Sequence, residues 1–123
     1  MLALPTTGAR LYFYTEPCDM RKGYSGLGGL VRSALDRDPA DGAIYCFVNR
    51  RRDRCKLLCF EGDGFAVYYK VLAEGTLEVP RPHPDTPGCA VVSADTLRLI
   101  LSGVKLDSVR RRRRYGRKTP QPQ

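Results

Sequence analysis

The chain has 123 residues, 42% of them hydrophobic, with 21 Lys and Arg against 13 Asp and Glu and a net charge of +8. That length suits one domain and leaves little room for a second, and the apolar content is enough for a modest core, which excludes wholesale disorder. No apolar run approaches the roughly 20 residues that cross a bilayer, and residues 1–14 lack the basic start and apolar stretch of a secretory leader, so no membrane partner and a cytoplasmic location are expected.

In chain order, Arg10 to Tyr14 (RLYFY) is aromatic-rich and short enough for a strand, and Pro17 breaks it. From Tyr24 the residues Leu27, Leu30, Val31, Ala34 and Leu35 recur at helical spacing, which predicts an amphipathic helix ending before Pro39. Gly26, Gly28 and Gly29 weaken that helix by up to about 1 kcal/mol each. Either the helix backbone packs closely on a sheet, or the helix is simply marginal. Ala43–Val48 and Cys55–Phe60 then read as strands flanking the charged loop Asn49-Arg50-Arg51-Arg52-Asp53-Arg54. Gly62-Asp63-Gly64 is a turn signal, and Phe65–Val71 a third strand of the same meander, so the pairing here is antiparallel.

Pro80, Pro82, Pro84 and Pro87 exclude a helix or central strand and predict an extended link over the surface. Ser93 is a natural N-cap, with Asp95 suited to the helix dipole in the first turn. Leu97, Ile100 and Leu101 supply the apolar stripe and Gly103 the stop. The expected architecture is α+β: an antiparallel sheet of about four to five strands packed by two helices, Tyr24–Asp36 and Ser93–Ser102. The single domain covers residues 1–107, and residues 108–123 form a basic arm expected to be disordered.

That arm carries most of the charge. Residues 110–118 hold seven cations (Arg110, Arg111, Arg112, Arg113, Arg114, Arg117 and Lys118) and no acid, leaving 14 positive and 13 negative charges elsewhere. A block of like charge stays extended until a polyanion neutralises it, and nucleic acid is the commonest such partner. Binding of that kind goes through phosphates and falls steeply with salt; Tyr115 among the arginines has a face to stack on an exposed base. A second basic cluster, Arg50, Arg51, Arg52, Arg54 and Lys56 around Asp53, sits at a hairpin tip, a shape a DNA groove admits. The alternative is a solvated tip whose charges pair with Asp41, Glu61 or Asp63.

Catalytic signals are sparse. The five cysteines (Cys18, Cys46, Cys55, Cys59 and Cys89) contain no Cys-x-x-Cys; a zinc set of Cys46, Cys55, Cys59 and His83 fits known spacings poorly, and buried small hydrophobes are the simpler reading. A metal-dependent nuclease needs converging carboxylates, for which Asp53, Glu61 and Asp63 are the candidates, although Asp63 also suits the glycine turn. A P-loop, a dinucleotide fingerprint and a Gly-x-Ser-x-Gly are all missing, so no cofactor, metal or catalytic residue is expected.

Asp19-Met20-Arg21-Lys22-Gly23-Tyr24-Ser25-Gly26-Leu27 and the stretch Phe47–Lys70 (FVNRRRDRCKLLCFEGDGFAVYYK) resemble the two signatures of a known family. It is the TnpB accessory protein, the second small reading frame, of the bacterial insertion-sequence sixty-six elements, and the likeness covers nearly the whole chain. The sequence departs from the pattern where Cys59 and Phe60 replace an aromatic pair containing tryptophan, where Glu61 replaces an aspartate, and where Leu77–Pro80 replaces a tryptophan-proline ending. The resemblance implies a helper of transposition that works beside a separate, larger transposase and other accessory proteins of the element. Asp19, Arg21, Lys22, Asn49, Asp53 and Asp63 match the motifs, with no role assigned to them. The expected function is therefore a DNA-associated, non-catalytic accessory protein. Its rivals are an adaptor that docks on the transposase through exposed tyrosines among Tyr12, Tyr14, Tyr68 and Tyr69, and, more remotely, the nuclease.

Overall fold

The computed structural model describes residues 10–102. Leu11–Tyr14 forms β1, whose alternation sends Leu11 and Phe13 to one core and Tyr12 and Tyr14 to another. The helix α1 spans Tyr24–Leu35 and buries Leu27, Val31 and Leu35, an i, i+4, i+8 stripe. It ends where Asp36 turns left-handed (φ 54°), a conformation aspartate tolerates better than most residues. The next strands are β2 (Ile44–Val48), β3 (Arg54–Phe60), β4 (Phe65–Val71) and β5 (Cys89–Val92), followed by helix α2 (Ala94–Leu101).

The strands make one sheet in the order β4-β3-β2-β1-β5. The expected meander of β2, β3 and β4 is antiparallel, as is β1 with β5. The exception is β1 with β2, which run parallel from Leu11↔Ile44 to Phe13↔Cys46, so the chain between them crosses one face as α1. That helix packs with Tyr12, Tyr45, Phe47 and Leu58, while α2 and Leu77 pack with Phe13, Ile44, Cys46 and Leu57 on the opposite face. Covered on both sides, β2 is buried at all five positions, which explains its unbroken apolar sequence. β5 follows Gly88 (φ +79°) directly and completes the expected four to five strands.

The α2 cap forms as expected: the Ser93 hydroxyl accepts from the Thr96 amide at 3.0 Å, and Leu97, Ile100 and Leu101 are buried. Lys70 Nζ donates to the Leu101 carbonyl at 2.8 Å, a cation on the negative end of the helix. The proline-rich link is neither helix nor strand; its one regular feature is an isolated bridge between His83 and Thr86. The buried Tyr45 hydroxyl donates to Asp41 at 2.8 Å and accepts from Arg37 Nε at 3.1 Å, and Arg37 lies over the Tyr12 ring at 4.3 Å. Burial pushes the Asp41 carboxyl up, but the Ala43 amide, the Tyr45 hydroxyl and Arg37 outweigh it and hold the group below its usual range. Among the described residues no helix is long and apolar enough to cross a membrane. Gly103, the expected domain end at residue 107 and the arm 108–123 lie outside the described residues.

The helix glycines are not set by contact with the sheet. A Cβ at Gly28 would meet Pro39 at an ordinary 3.5 Å, one at Gly29 would meet nothing within 4 Å, and only Gly26 is tight, 3.1 Å from Lys22 Cβ. Of the two readings, close backbone packing falls and a helix of weakened propensity stands. Gly29→Ala is therefore expected to stabilise the protein by about 1 kcal/mol, seen as a melting midpoint several degrees higher. Gly26→Ala should gain less.

Candidate nucleic-acid interface

Parallel strands end at the same edge of a sheet. Residues 15–23, which leave β1, and residues 49–53, which leave β2, therefore emerge side by side. The Cys18 amide donates to the Val48 carbonyl at 2.8 Å and zips the two exits together. Between them lies an open cleft of about 330 Å³ lined by Cys18, Asp19, Met20, Asn49, Arg50, Arg51 and Arg54. A smaller one of about 180 Å³ on the other flank of the loop is lined by Thr15, Glu16, Pro17, Val48, Asn49, Arg50, Arg52 and Val79. The Thr15 hydroxyl is buried there with no hydrogen-bond partner among the described residues.

The hairpin loop is shaped by its two uncharged-donor and acidic members. Asn49 Oδ1 accepts from the amides of Asp53 and Arg54 at 3.1 and 3.0 Å, and Asn49 Nδ2 donates to Asp53 Oδ1 at 2.7 Å. The Asn49 side chain beside Asp53 holds that carboxyl below its usual range. Arg52 adopts a left-handed backbone (φ 62°), unusual outside glycine. Its carbonyl accepts from the Leu77 amide, and the Asp53 carbonyl from the Leu72 amide. The loop is thus fastened from inside by Asn49 and from behind by residues 72–77.

Arg50, Arg51, Arg52 and Arg54 are exposed, and among the described residues none of the four forms an ion pair. The expected alternative partners are elsewhere. Asp41 pairs with Arg37 at 2.9 Å, and Glu61 and Asp63 sit beyond the far end of β3, roughly 20 Å away at about 3.3 Å per residue. In the amino-terminal motif Asp19 takes the Arg21 backbone amide at 2.9 Å and its guanidinium at 2.8–3.1 Å. Those bonds from Arg21 hold the Asp19 carboxyl down to about 2. Arg21 is therefore spoken for, while Lys22 is exposed and offers its carbonyl to Lys56 Nζ at 2.8 Å.

Several sequence candidates do not come together. Asp53 lies at one end of β3 and Glu61 and Asp63 at the other, where Gly62 (φ +95°) and the bond from the Glu61 amide to the Gly64 carbonyl make the expected turn. Among the described residues no three His, Cys, Asp or Glu side chains assemble as a metal set. Cys46 and Cys55 are buried, and burial pushes the Cys46 thiol up. His83 stays in its exposed loop, accepting from the Asp85 amide. Of the four tyrosines, Tyr12 is buried, Tyr14 and Tyr68 are half-buried, and only Tyr69 is exposed. Arg110 to Arg114, Arg117 and Lys118 lie outside the described residues. Thr15 and Glu16 were not legible as cleft residues, because only the parallel pairing of β1 with β2 sets them opposite Arg50 and Arg52. Tyr24 begins the α1 stripe yet is 59% exposed.

Fold and site together define a small α+β protein that presents two charged sequence motifs from one end of its sheet. The family model for IS66 Orf2-like proteins matches residues 9–111. The chain is 33% identical over 108 residues to the uncharacterized protein y4jC of Sinorhizobium fredii, covering 88% of this chain and 90% of that one. It is 28% identical over 95 residues to y4hO of the same organism, covering 77% and 80%. No solved structure matches. The chain belongs to the IS66 Orf2-like family, and with it to the accessory proteins of insertion-sequence transposition.

Two outcomes test the geometry. Asn49→Ala leaves the Asp53 and Arg54 amides without their acceptor, which should cost on the order of 1 kcal/mol at this solvent-facing site and speed hydrogen exchange at both amides. Asp19 should titrate near 2 by carboxyl-carbon NMR, and in Arg21→Ala its midpoint should rise toward 3.8. Because the folded value is the lower one, the contribution of this clasp is whole above about pH 4 and disappears as pH falls through 2.

Proposed function

We propose that this accessory protein holds DNA by its phosphates at the hairpin end of the sheet and performs no strand cutting itself. The carrying observation is the loop Asn49–Arg54: three adjacent exposed arginines, none in an ion pair among the described residues, on a backbone that Asn49 and Asp53 fasten. Folding alone gives no reason to hold adjacent exposed cations together, whereas a polyanion does, and arginine forks suit phosphate oxygens. The chain ahead of the second basic element, Arg110–Lys118, is described as far as Ser102. Lys70 pairs with Cys55 in the sheet and holds the last carbonyls of α2, so Ser102 sits beside the base of the loop. Arg110 follows eight residues later, a span of at most about 29 Å of extended chain. Phosphate contacts of this kind position DNA without reading its bases. The transposase of the same element is the protein partner such a role requires.

The nuclease reading has no support in the separated positions of Asp53, Glu61 and Asp63. The adaptor reading, in which the body docks on the transposase without touching DNA, is the other outcome of the test. Binding of the full chain to the element's terminal duplex and to scrambled duplex is measured across a salt series. The log affinity should fall with log salt by about 0.9 per phosphate neutralised, equally for both duplexes. Joint replacement of Arg50, Arg51 and Arg52 by Glu should weaken binding at least tenfold and flatten the slope by nearly three contacts, with an unchanged melting midpoint. Charge reversal of Arg110–Arg114 should weaken it in the same way. Unchanged binding in the loop variant removes the hairpin from the site, and no duplex binding by the unaltered protein leaves the adaptor.

A further inference from the structure

One face of the sheet is incompletely covered. On the α1 side β4 presents Phe65, Val67, Tyr69 and Val71, set opposite Phe60, Leu58, Lys56 and Arg54 of β3. Tyr24 of α1 stacks on Phe65 at 5.7 Å, but the helix reaches no further along the strand. Val67, Tyr69 and Val71 are 37%, 45% and 50% exposed. Three consecutive outward positions of an edge strand are thus apolar or aromatic, where solvated edges normally carry charge.

The strip also has cations built into it. Lys56 Nζ lies 5.1 Å from the centre of the Tyr69 ring, and Arg54 Nη1 donates to the Tyr69 hydroxyl at 3.2 Å. Arg54 is at the same time the residue that joins the strip to the arginine loop. A ligand lying along β4 therefore meets the open face of a ring whose other face lies under Lys56 Nζ and whose hydroxyl takes Arg54, with a valine on either side, and then the loop. A second copy of the chain fits this poorly, since it would add its own Arg54 and Lys56 to the same interface, and the strip carries no acid to neutralise the four cations. A polyanion whose apolar faces are free fits it well. Duplex DNA keeps its base faces stacked inside, whereas an unpaired strand offers both a face to an aromatic side chain and phosphates to the neighbouring cations.

We propose that the uncovered end of this sheet face is a site for unpaired DNA, with a base stacked on Tyr69 between Val67 and Val71 and the adjoining phosphates held by Arg54 and Lys56. This rests on the reading of the arginine loop as a phosphate holder and adds a preference for single-stranded over paired DNA.

The test compares an oligothymidine of about 20 nucleotides with a duplex of the same length, using the full chain and its Tyr69→Ala and Tyr69→Phe variants. The oligothymidine should quench tyrosine emission, and Tyr69→Ala should weaken its binding about tenfold or more while changing duplex binding by less than about twofold. Tyr69→Phe, which keeps the ring, should bind it nearly as the unaltered protein does. If Tyr69→Ala alters neither ligand, the strip is no base site and the phosphate reading of the loop survives. If it weakens both equally at an unchanged melting midpoint, the preference for unpaired strands is overturned. A self-association that Tyr69→Ala abolishes, with strand binding intact, assigns the strip to a second copy instead. If neither DNA binds the unaltered protein, the phosphate reading and this one fail together.

Discussion

The parallel pairing of β1 with β2 is the constraint from which the working end of the molecule follows. A hairpin sends its chain out of alternate ends of the sheet; a parallel pair sends both chains out of one end. Residues 15–23 and 49–53 are neighbours for that reason and for no local one. The same pairing requires a crossover, which α1 supplies, and the crossover buries the second face of β2. What looks in sequence like two motifs some thirty residues apart is a single surface, closed by the bond from the Cys18 amide to the Val48 carbonyl.

Within that surface the motif residues divide by chemistry. Asp19, Asn49 and Asp53 spend their hydrogen-bonding capacity on nearby amides and, for Asp19, on Arg21. They set the backbone. Arg50, Arg51, Arg52 and Lys22 stand on the backbone so set and face solvent. Asp53 offsets part of the charge of its neighbours Arg51 and Arg54, but four arginines against one acid still make a concentrated positive feature that the near-neutral balance outside residues 110–118 conceals. The far turn, with Glu61 and Asp63, belongs to another part of the molecule.

Much of the fold was legible because its signals are local. Short aromatic and apolar runs bounded by Pro17, the charged loop and the glycine turn marked β1 and the three meander strands, the helical spacing of apolar residues marked α1, and Ser93 with Asp95 marked the start of α2. Two features were not. Cys89–Val92 is only four residues long and follows a proline-rich link, so nothing nearby distinguishes it from the end of that link; it becomes a strand because β1 has a free edge. The direction of β1 beside β2 depends on where a twelve-residue helix lays the chain down, which periodicity does not encode. Of the candidate site, the arginine loop was legible as charge, but its fastening by Asn49 and by residues 72–77 depends on contacts between segments. The exposure of Val67, Tyr69 and Val71 likewise reflects how far α1 extends over the sheet, and Phe65–Val71 reads as an ordinary strand without that knowledge.

Arg52 occupies a left-handed backbone position at φ 62°, a conformation that costs an L-residue with a Cβ roughly 1–2 kcal/mol and glycine almost nothing. Glycine or asparagine would hold that turn at less cost, so the arginine sets its charge at the tip of the loop against the local backbone preference.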